Sequence, residues 1–153
     1  MKRICFVCHG NICRSPMAEF LFKDMTEKAG LSGSFEIVSR ATSDEEIGNG
    51  VHRGTRQILS RFGIDTRGKT AVRLTAKDYD RYDLIIGMDS ANIRNILRIT
   101  GGDPKGRVYK LLDFAGENAD ISDPWYTGDF ETTLSDVSRG LEGLFAQLCA
   151  DKT

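Results

Sequence analysis

The chain has no excess of charge of either sign: 21 Lys and Arg stand against 22 Asp and Glu, a formal net charge of −1. That balance argues against general binding to nucleic acid or to a membrane surface, though it leaves room for a local basic pocket. No stretch approaches the ~20 consecutive apolar residues of a membrane span, and there is no internal repeat, low-complexity tract or linker. Cysteine is scarce and poorly spread for a disulfide framework. Cys5, Cys8 and Cys13 crowd together near the start, and Cys149 sits near the end. Thiols clustered in this way point to a reducing compartment, and to chemistry or metal rather than a secreted scaffold. The opening Met1-Lys2-Arg3 and the apolar residues after it look briefly like a signal peptide, but the run stops at His9-Gly10-Asn11, too short for an export core. These absences give the expectation of a soluble, cytoplasmic protein.

What is present is an ordinary globular mixture. The 153 residues, 40% hydrophobic and 28% charged, read as one domain over 1–153. A chain of that length buries roughly two-thirds of its unfolded surface and needs no disulfide or metal staple. Arg3–Cys8, Phe35–Ser39, Tyr82–Met88 and Arg107–Leu112 read as strands, the third being the clearest buried one. Helical spacing follows each. The first helix opens at Ser15-Pro16, with Ser as N-cap and Pro at the first helical position, and Gly30 closes it. The second runs over Arg53–Phe62 to Gly63, the third follows Asp89-Ser90 and ends at Gly101-Gly102, and the last covers Phe130–Cys149. Residues 42–52 and 113–129 read as loops, the second long enough to be functional. Alternation of this kind predicts an α/β fold: a single domain with a four-stranded parallel sheet and helices on both faces. Such sheets bind ligands at the carboxyl ends of their strands, where Cys8 and the 113–129 loop meet.

The chemistry is written in Cys8-His9-Gly10-Asn11-Ile12-Cys13-Arg14-Ser15, a C-x5-R-S segment between a strand end and a helix start. A loop in that place turns several backbone N–H groups inward and makes a nest for an anion. Gly10 permits unusual backbone angles there, and Asn11 tolerates the left-handed region better than most residues. A thiol at the base of the nest is the group best placed to be held as a thiolate, because helix N-termini and cations favour that form. Arg14 closes the ring with a fork that holds two phosphate oxygens at once. The Ser15 hydroxyl can reach back toward the sulfur. Expelling an alkoxide from phosphate is easier when a carboxylic acid protonates it, and the 113–129 loop offers Asp120, Asp123 and Asp129. Asp123 is chosen because Pro124 fixes the backbone after it and Trp125 and Tyr126 supply rings to wall a pocket for a flat substrate.

The Cys8–Pro16 segment, together with Asp123-Pro124-Trp125-Tyr126 far downstream and the strand ending Gly87-Met88-Asp89, resembles the low-molecular-weight protein tyrosine phosphatases across essentially the whole chain. The resemblance implies hydrolysis of phosphotyrosine or another aryl phosphate through a phosphocysteine on Cys8. Arg14 would hold the phosphate, and Asp123 would act first as acid and then as base. It implies His9, Gly10, Asn11, Ile12, Cys13 and Ser15 around the phosphate, and Ser39 as the brace of Asn11. It also implies no metal or cofactor, a reversible Cys8–Cys13 pairing under oxidation, and a cognate tyrosine kinase as partner. Ile12 is the residue expected of tyrosine-directed members, where phosphoarginine-directed relatives tend to have Thr. Two departures stand out. Asp44-Glu45-Glu46 occupies the loop where members often carry an aromatic residue, and no His stands near Thr70, where many have one bracing the phosphate loop.

Other patterns compete. Cys5-Phe6-Val7-Cys8-His9 has the letters of a haem-attachment motif but lies in an apolar strand, where residues three apart face opposite ways. Cys5 is therefore read as core. Gly63 to Thr70 spells the nucleotide-binding pattern G-x-x-x-x-G-K-T, but with a helix before it and no helical period after it. An arsenate reductase would need further cysteines, and none lies between Cys13 and Cys149. A non-catalytic phosphate or phosphoprotein sensor would need neither the thiol nor the acid. His52 is read as structural or solvent-exposed, and Asp44-Glu45-Glu46 as a solvated acidic run whose place near the expected pocket mouth could repel acidic substrates.

Overall fold

The computed structural model describes residues 1–150. Four strands form one parallel sheet: β1 Lys2–Cys8, β2 Phe35–Ala41, β3 Leu84–Gly87 and β4 Val108–Lys110, in the order β2-β1-β3-β4. Six helices connect and cover them: α1 Arg14–Lys28, α2 Arg53–Ser60, α3 Asp78–Arg81, α4 Ser90–Thr100, α5 Pro124–Thr127 and α6 Phe130–Ala150. The expected α/β architecture is the one observed.

Alternation along β1 divides the core in two. Ile4, Phe6 and Cys8 face the cluster built with Met17, Leu21 and Phe22 of α1, Ile58 and Leu59 of α2, and Val137, Leu141 and Leu144 of α6. Cys5 and Val7 face the opposite side, against Tyr79 of α3, Tyr82, Ile85 and Ile96 of α4. Period-two alternation places neighbouring residues on opposite faces, so the central strand is buried on both sides and Cys8 is delivered to the carboxyl edge. Cys5 is fully buried, and burial pushes its thiol well above the ordinary range.

Several boundaries differ from expectation. The first helix begins at Arg14 rather than after a Ser15 cap, which puts Pro16 at its third position, and its N-cap Cys13 makes no side-chain capping bond. The cause is local: the Ser15 amide and hydroxyl are both directed at Cys8 Sγ. The fourth strand is shorter than Arg107–Leu112, because a 3-10 turn occupies Leu111–Ala115. The 113–129 loop also carries α5, capped by Asp123. The third strand is trimmed to four residues, and α3 just before it had no counterpart in the sequence pattern.

Gly140 and Gly143 let α6 lie directly on the 3-10 turn. A Cβ on Gly143 would fall 1.9 Å from the Phe114 carbonyl oxygen. On an open helix face Gly→Ala gains about 1 kcal/mol. Here overpacking reverses the sign, and Gly143→Ala is expected to lose about 1–3 kcal/mol. Urea unfolding with a lower midpoint and an unchanged slope is the expected result, whereas a raised midpoint would contradict the packing.

Candidate active site

The loop from Cys8 to Arg14 is held with its carbonyls turned outward. Cys8 O accepts from Thr42 N, His9 O from Ser43 N, Ile12 O from His52 N, and Cys13 O from the Thr55 hydroxyl, at 3.1, 3.1, 2.8 and 3.1 Å. The amides of Gly10, Asn11, Ile12 and Cys13 donate to no protein acceptor among the described residues. They are therefore available to an anion, as in a backbone nest. The one non-glycine residue with a left-handed backbone among those described is Asn11, at φ 60°. Gly10 is not left-handed. Its contribution is clearance, since a Cβ there would lie 3.3 Å from Glu46 Cγ.

Asn11 is almost completely buried, and its side chain is fully used. Nδ2 donates to Ser15 Oγ and to Ser39 Oγ, both at 2.8 Å, and Oδ1 accepts from Val72 N at 3.0 Å. Ser15 Oγ in turn lies 3.0 Å from Cys8 Sγ, and the Ser15 amide donates to the same sulfur at 3.4 Å. Ser39 Oγ donates to Glu19 Oε1, which also pairs with Lys69 Nζ at 3.0 Å. A continuous polar chain thus runs from Lys69 through Glu19, Ser39, Asn11 and Ser15 to the Cys8 sulfur. Burial alone would raise the Glu19 carboxyl, but Lys69 and Lys23 outweigh it and hold the group below the usual carboxylate range. Lys69 thereby supplies the loop support left unassigned by the absence of a histidine near Thr70. It also disposes of the nucleotide-binding pattern: its Gly-Lys-Thr ends at the isolated bridge Gly50–Thr70 with no helix after it.

Arg14 is 2% exposed. Nη1 donates to Asp89 Oδ2 at 2.6 Å and to the Ile121 carbonyl at 2.8 Å, and Nη2 lies 3.5 Å from Asp123 Oδ2. Burial works against its charge, but Cys8, Asp89 and Asp123 together hold its pKa above the ordinary arginine value. Asp89 also caps α4 through a 2.7 Å bond from Asn92 N, so the end of β3 fixes the guanidinium.

Of the three candidate acids, only Asp123 borders the cavity above Cys8. Its Oδ1 accepts from Trp125 N at 3.0 Å, capping α5. Asp120 is engaged by Lys110 and Ser90, and its carboxyl is lowered by those bonds against the effect of burial. Asp129 caps α6 through Thr132. Trp125 and Tyr126, both exposed, form one wall of the mouth, and His9, Glu45 and Glu46 form another. His9 Nε2 lies 3.0 Å from Glu45 Oε2, so the acidic run reaches the pocket rather than only facing solvent. Ile12 and Cys13 complete the floor. The Cys13 thiol is pushed up to about 12, by burial first and then by Cys8 and Asp123.

The structure thus brings Cys8, Arg14, Asp123, Ser15, Asn11 and Ser39 together as the sequence suggested. It adds Asp89, Glu19 and Lys69, which sequence reasoning missed. The one available signal for Glu19 was a carboxylate amid the apolar stripe of the first helix.

The model of the family "Low molecular weight phosphotyrosine protein phosphatase" matches residues 3–153. The low molecular weight protein-tyrosine-phosphatase YfkJ of Bacillus subtilis is 40% identical over 154 residues, covering 99% of each chain. PtpA of Staphylococcus epidermidis is 36% identical over 152 residues, covering 99% of this chain and 96% of its own. The crystal structure of YfkJ superposes with a TM-score of 0.96 at 39% identity, over 100% of this chain and 98% of that one. That of SP-PTP from Streptococcus pyogenes gives 0.86 at 40% identity, over 97% and 93%. The chain belongs to the low molecular weight phosphotyrosine protein phosphatase family and is a cysteine-based phosphotyrosine phosphatase. The reductase and sensor alternatives are not favoured.

Removing the cation that faces buried Glu19, by Lys69→Met, is expected to destabilise the protein at neutral pH by about 2–3 kcal/mol. This is below the ~3–5 kcal/mol of a wholly stripped buried ion because Lys23 and Ser39 remain. Glu19 has a depressed pKa in the folded state, so its contribution is present above the ordinary glutamate pKa and is lost as pH falls through the folded value. The deficit of the variant, followed by urea unfolding, should therefore narrow on acidification. A deficit that widened toward low pH would contradict the pairing.

Proposed function

We propose that the chain dephosphorylates phosphotyrosine, and small aryl phosphates with it, in two steps through a phosphocysteine on Cys8. Cys8 Sγ attacks phosphorus in line, and the S–P bond forms as the P–O bond to the phenol breaks. Asp123 delivers its proton to the departing phenolic oxygen. Water then attacks the phosphocysteine, Asp123 as carboxylate takes the water's proton, and the thiolate leaves. The Ser15 hydroxyl, 3.0 Å from the sulfur, stabilises that leaving thiolate. Arg14 and the amides of Gly10 to Cys13 hold the phosphoryl oxygens through both steps, where charge is concentrated. Ile12, Trp125 and Tyr126 border the substrate ring.

One observation carries this reading: a single cavity is bordered by Cys8 and Asp123, with the Arg14 fork reaching Asp123 at 3.5 Å. We place the reaction in the cytoplasm, with a tyrosine kinase as the source of the phosphorylated protein. A reducing compartment keeps Cys8 a free thiol, and Cys13 is the neighbour that would pair with it reversibly under oxidation. Among the described residues no helix is long and apolar enough to cross a membrane.

Turnover of p-nitrophenyl phosphate in the presence of a chelator tests the assignment. Cys8→Ser should lose on the order of 10⁴-fold or more, Arg14→Lys about 10²–10³-fold despite the kept charge, and Asp123→Ala about 10²-fold. Substantial activity in Cys8→Ser or Arg14→Lys would overturn the roles given to them.

A further inference from the structure

In the sequence His52 has no nameable partner and reads as structural or solvent-exposed; in the structure its backbone amide, its Nδ1 and its ring are all engaged. Its backbone amide donates to the Ile12 carbonyl of the phosphate loop at 2.8 Å. Its Nδ1 accepts from Gly54 N at 3.0 Å and caps α2. Its ring lies flat on Phe130, with centroids 5.3 Å apart at 15°, and meets Trp125 edge-on at 5.6 Å and 76°. Phe130, the first residue of α6, is itself fixed from two sides. It packs on Ile12, Cys13 and Ala71, and it lies so close to α2 that a Cβ on Gly54 would come within 2.3 Å of its ring.

Trp125 needs such an anchor. It belongs to a helix of four residues, is 56% exposed, and is followed by Tyr126 at 82%. A single helical turn has little stability of its own, so α5 is positioned by what holds it from outside. The Trp125 amide is the group that donates to Asp123 Oδ1. Aromatic contacts in edge-to-face and stacked geometry are directional, and the path from Ile12 through the His52 ring to Trp125 and Asp123 joins the phosphate loop to the proton donor.

We propose that His52 is a positioning residue for the general acid: its ring fixes Trp125, and through the Trp125 amide it sets the Asp123 carboxyl over the Cys8 cavity. This rests on Asp123 being the acid. The role goes beyond helix capping, and two substitutions separate the parts. His52→Asn keeps a capping acceptor and removes the ring. His52→Phe keeps the ring and removes the cap.

The readout is kcat/KM on two substrates. Phenyl phosphate needs its leaving group protonated, whereas dinitrophenyl phosphate leaves readily without a proton. Asp123→Asn serves as the reference and should lose far more on phenyl phosphate than on dinitrophenyl phosphate. A small displacement of an acid costs rate without abolishing it. His52→Asn should therefore lose about 5- to 10-fold on phenyl phosphate and less than about 2-fold on dinitrophenyl phosphate, with a melting temperature close to the wild type. His52→Phe should keep the wild-type ratio between the two substrates while melting lower, and Trp125→Leu should reproduce the ratio of His52→Asn from the other side of the contact. A wild-type ratio in both His52→Asn and Trp125→Leu, with the reference behaving as expected, would overturn the positioning role and leave the acid assignment standing. If His52→Asn does not fold, an Asp123-like ratio in His52→Phe or a wild-type ratio in Trp125→Leu overturns the role by itself. Equal losses on both substrates in Asp123→Asn would overturn the acid assignment and this inference with it.

Discussion

Asn11 holds a left-handed backbone at φ 60° and directs every polar atom of its side chain into the protein: to Ser15, to Ser39 and to the Val72 amide. A non-glycine residue in that region is strained, and strain of this kind persists only where the surroundings over-determine it. Here they do. The turn at Asn11 lets the chain reverse between the end of β1 and the start of α1 while its carbonyls face outward to Thr42, Ser43 and His52. If that turn relaxed, the free amides would no longer converge, the Ser15 hydroxyl would leave the sulfur, and Arg14 would lose its register with Asp89. The rest of the site is built outward from this one residue.

The charges around it follow a consistent order. Buried Glu19, paired with the half-buried Lys69, satisfies Ser39 from behind and so fixes the hydroxyl Asn11 donates to. Arg14 would be costly to bury alone. It is held between Asp89 and the Ile121 carbonyl, with Asp123 at longer range. The guanidinium is thus oriented before any phosphate arrives. Donors fixed in advance stabilise charge that develops in the transition state without reorganising at the moment of reaction. Cys13 lies at the same floor, yet its thiol is pushed up to about 12 by burial and by its neighbours Cys8 and Asp123. Its surroundings therefore keep Cys13 in the thiol form at neutral pH.

Much of this could be read from the chain. The strand and helix order, the C-x5-R-S loop and the choice of Asp123 among three aspartates rest on local patterns: apolar period, loop spacing and a proline after the acid. What could not be read depends on contacts between distant parts of the chain. Asp89 is 75 residues from Arg14, and only the parallel pairing of β1 with β3 brings them to the same edge. Lys69 sat inside a run that spelled a nucleotide-binding loop, and only the fold turns its side chain toward Glu19. Ser15 looked like a helix cap because its position suits one, and tertiary context redirected its hydroxyl to sulfur. His52 had no sequence neighbour to suggest a role, because its ring partners lie more than seventy residues downstream in the chain.

In the proposed reaction one sulfur, Cys8, carries the phosphoryl group between substrate and water. The direct measurement is to quench the Asp123→Ala enzyme in acid during turnover of an activated aryl phosphate, digest it, and locate any phosphorylated residue by mass spectrometry. A phosphocysteine at Cys8 is expected, accumulating because its hydrolysis lacks a base. Phosphate on another residue, or turnover with Cys8 never modified, would contradict it.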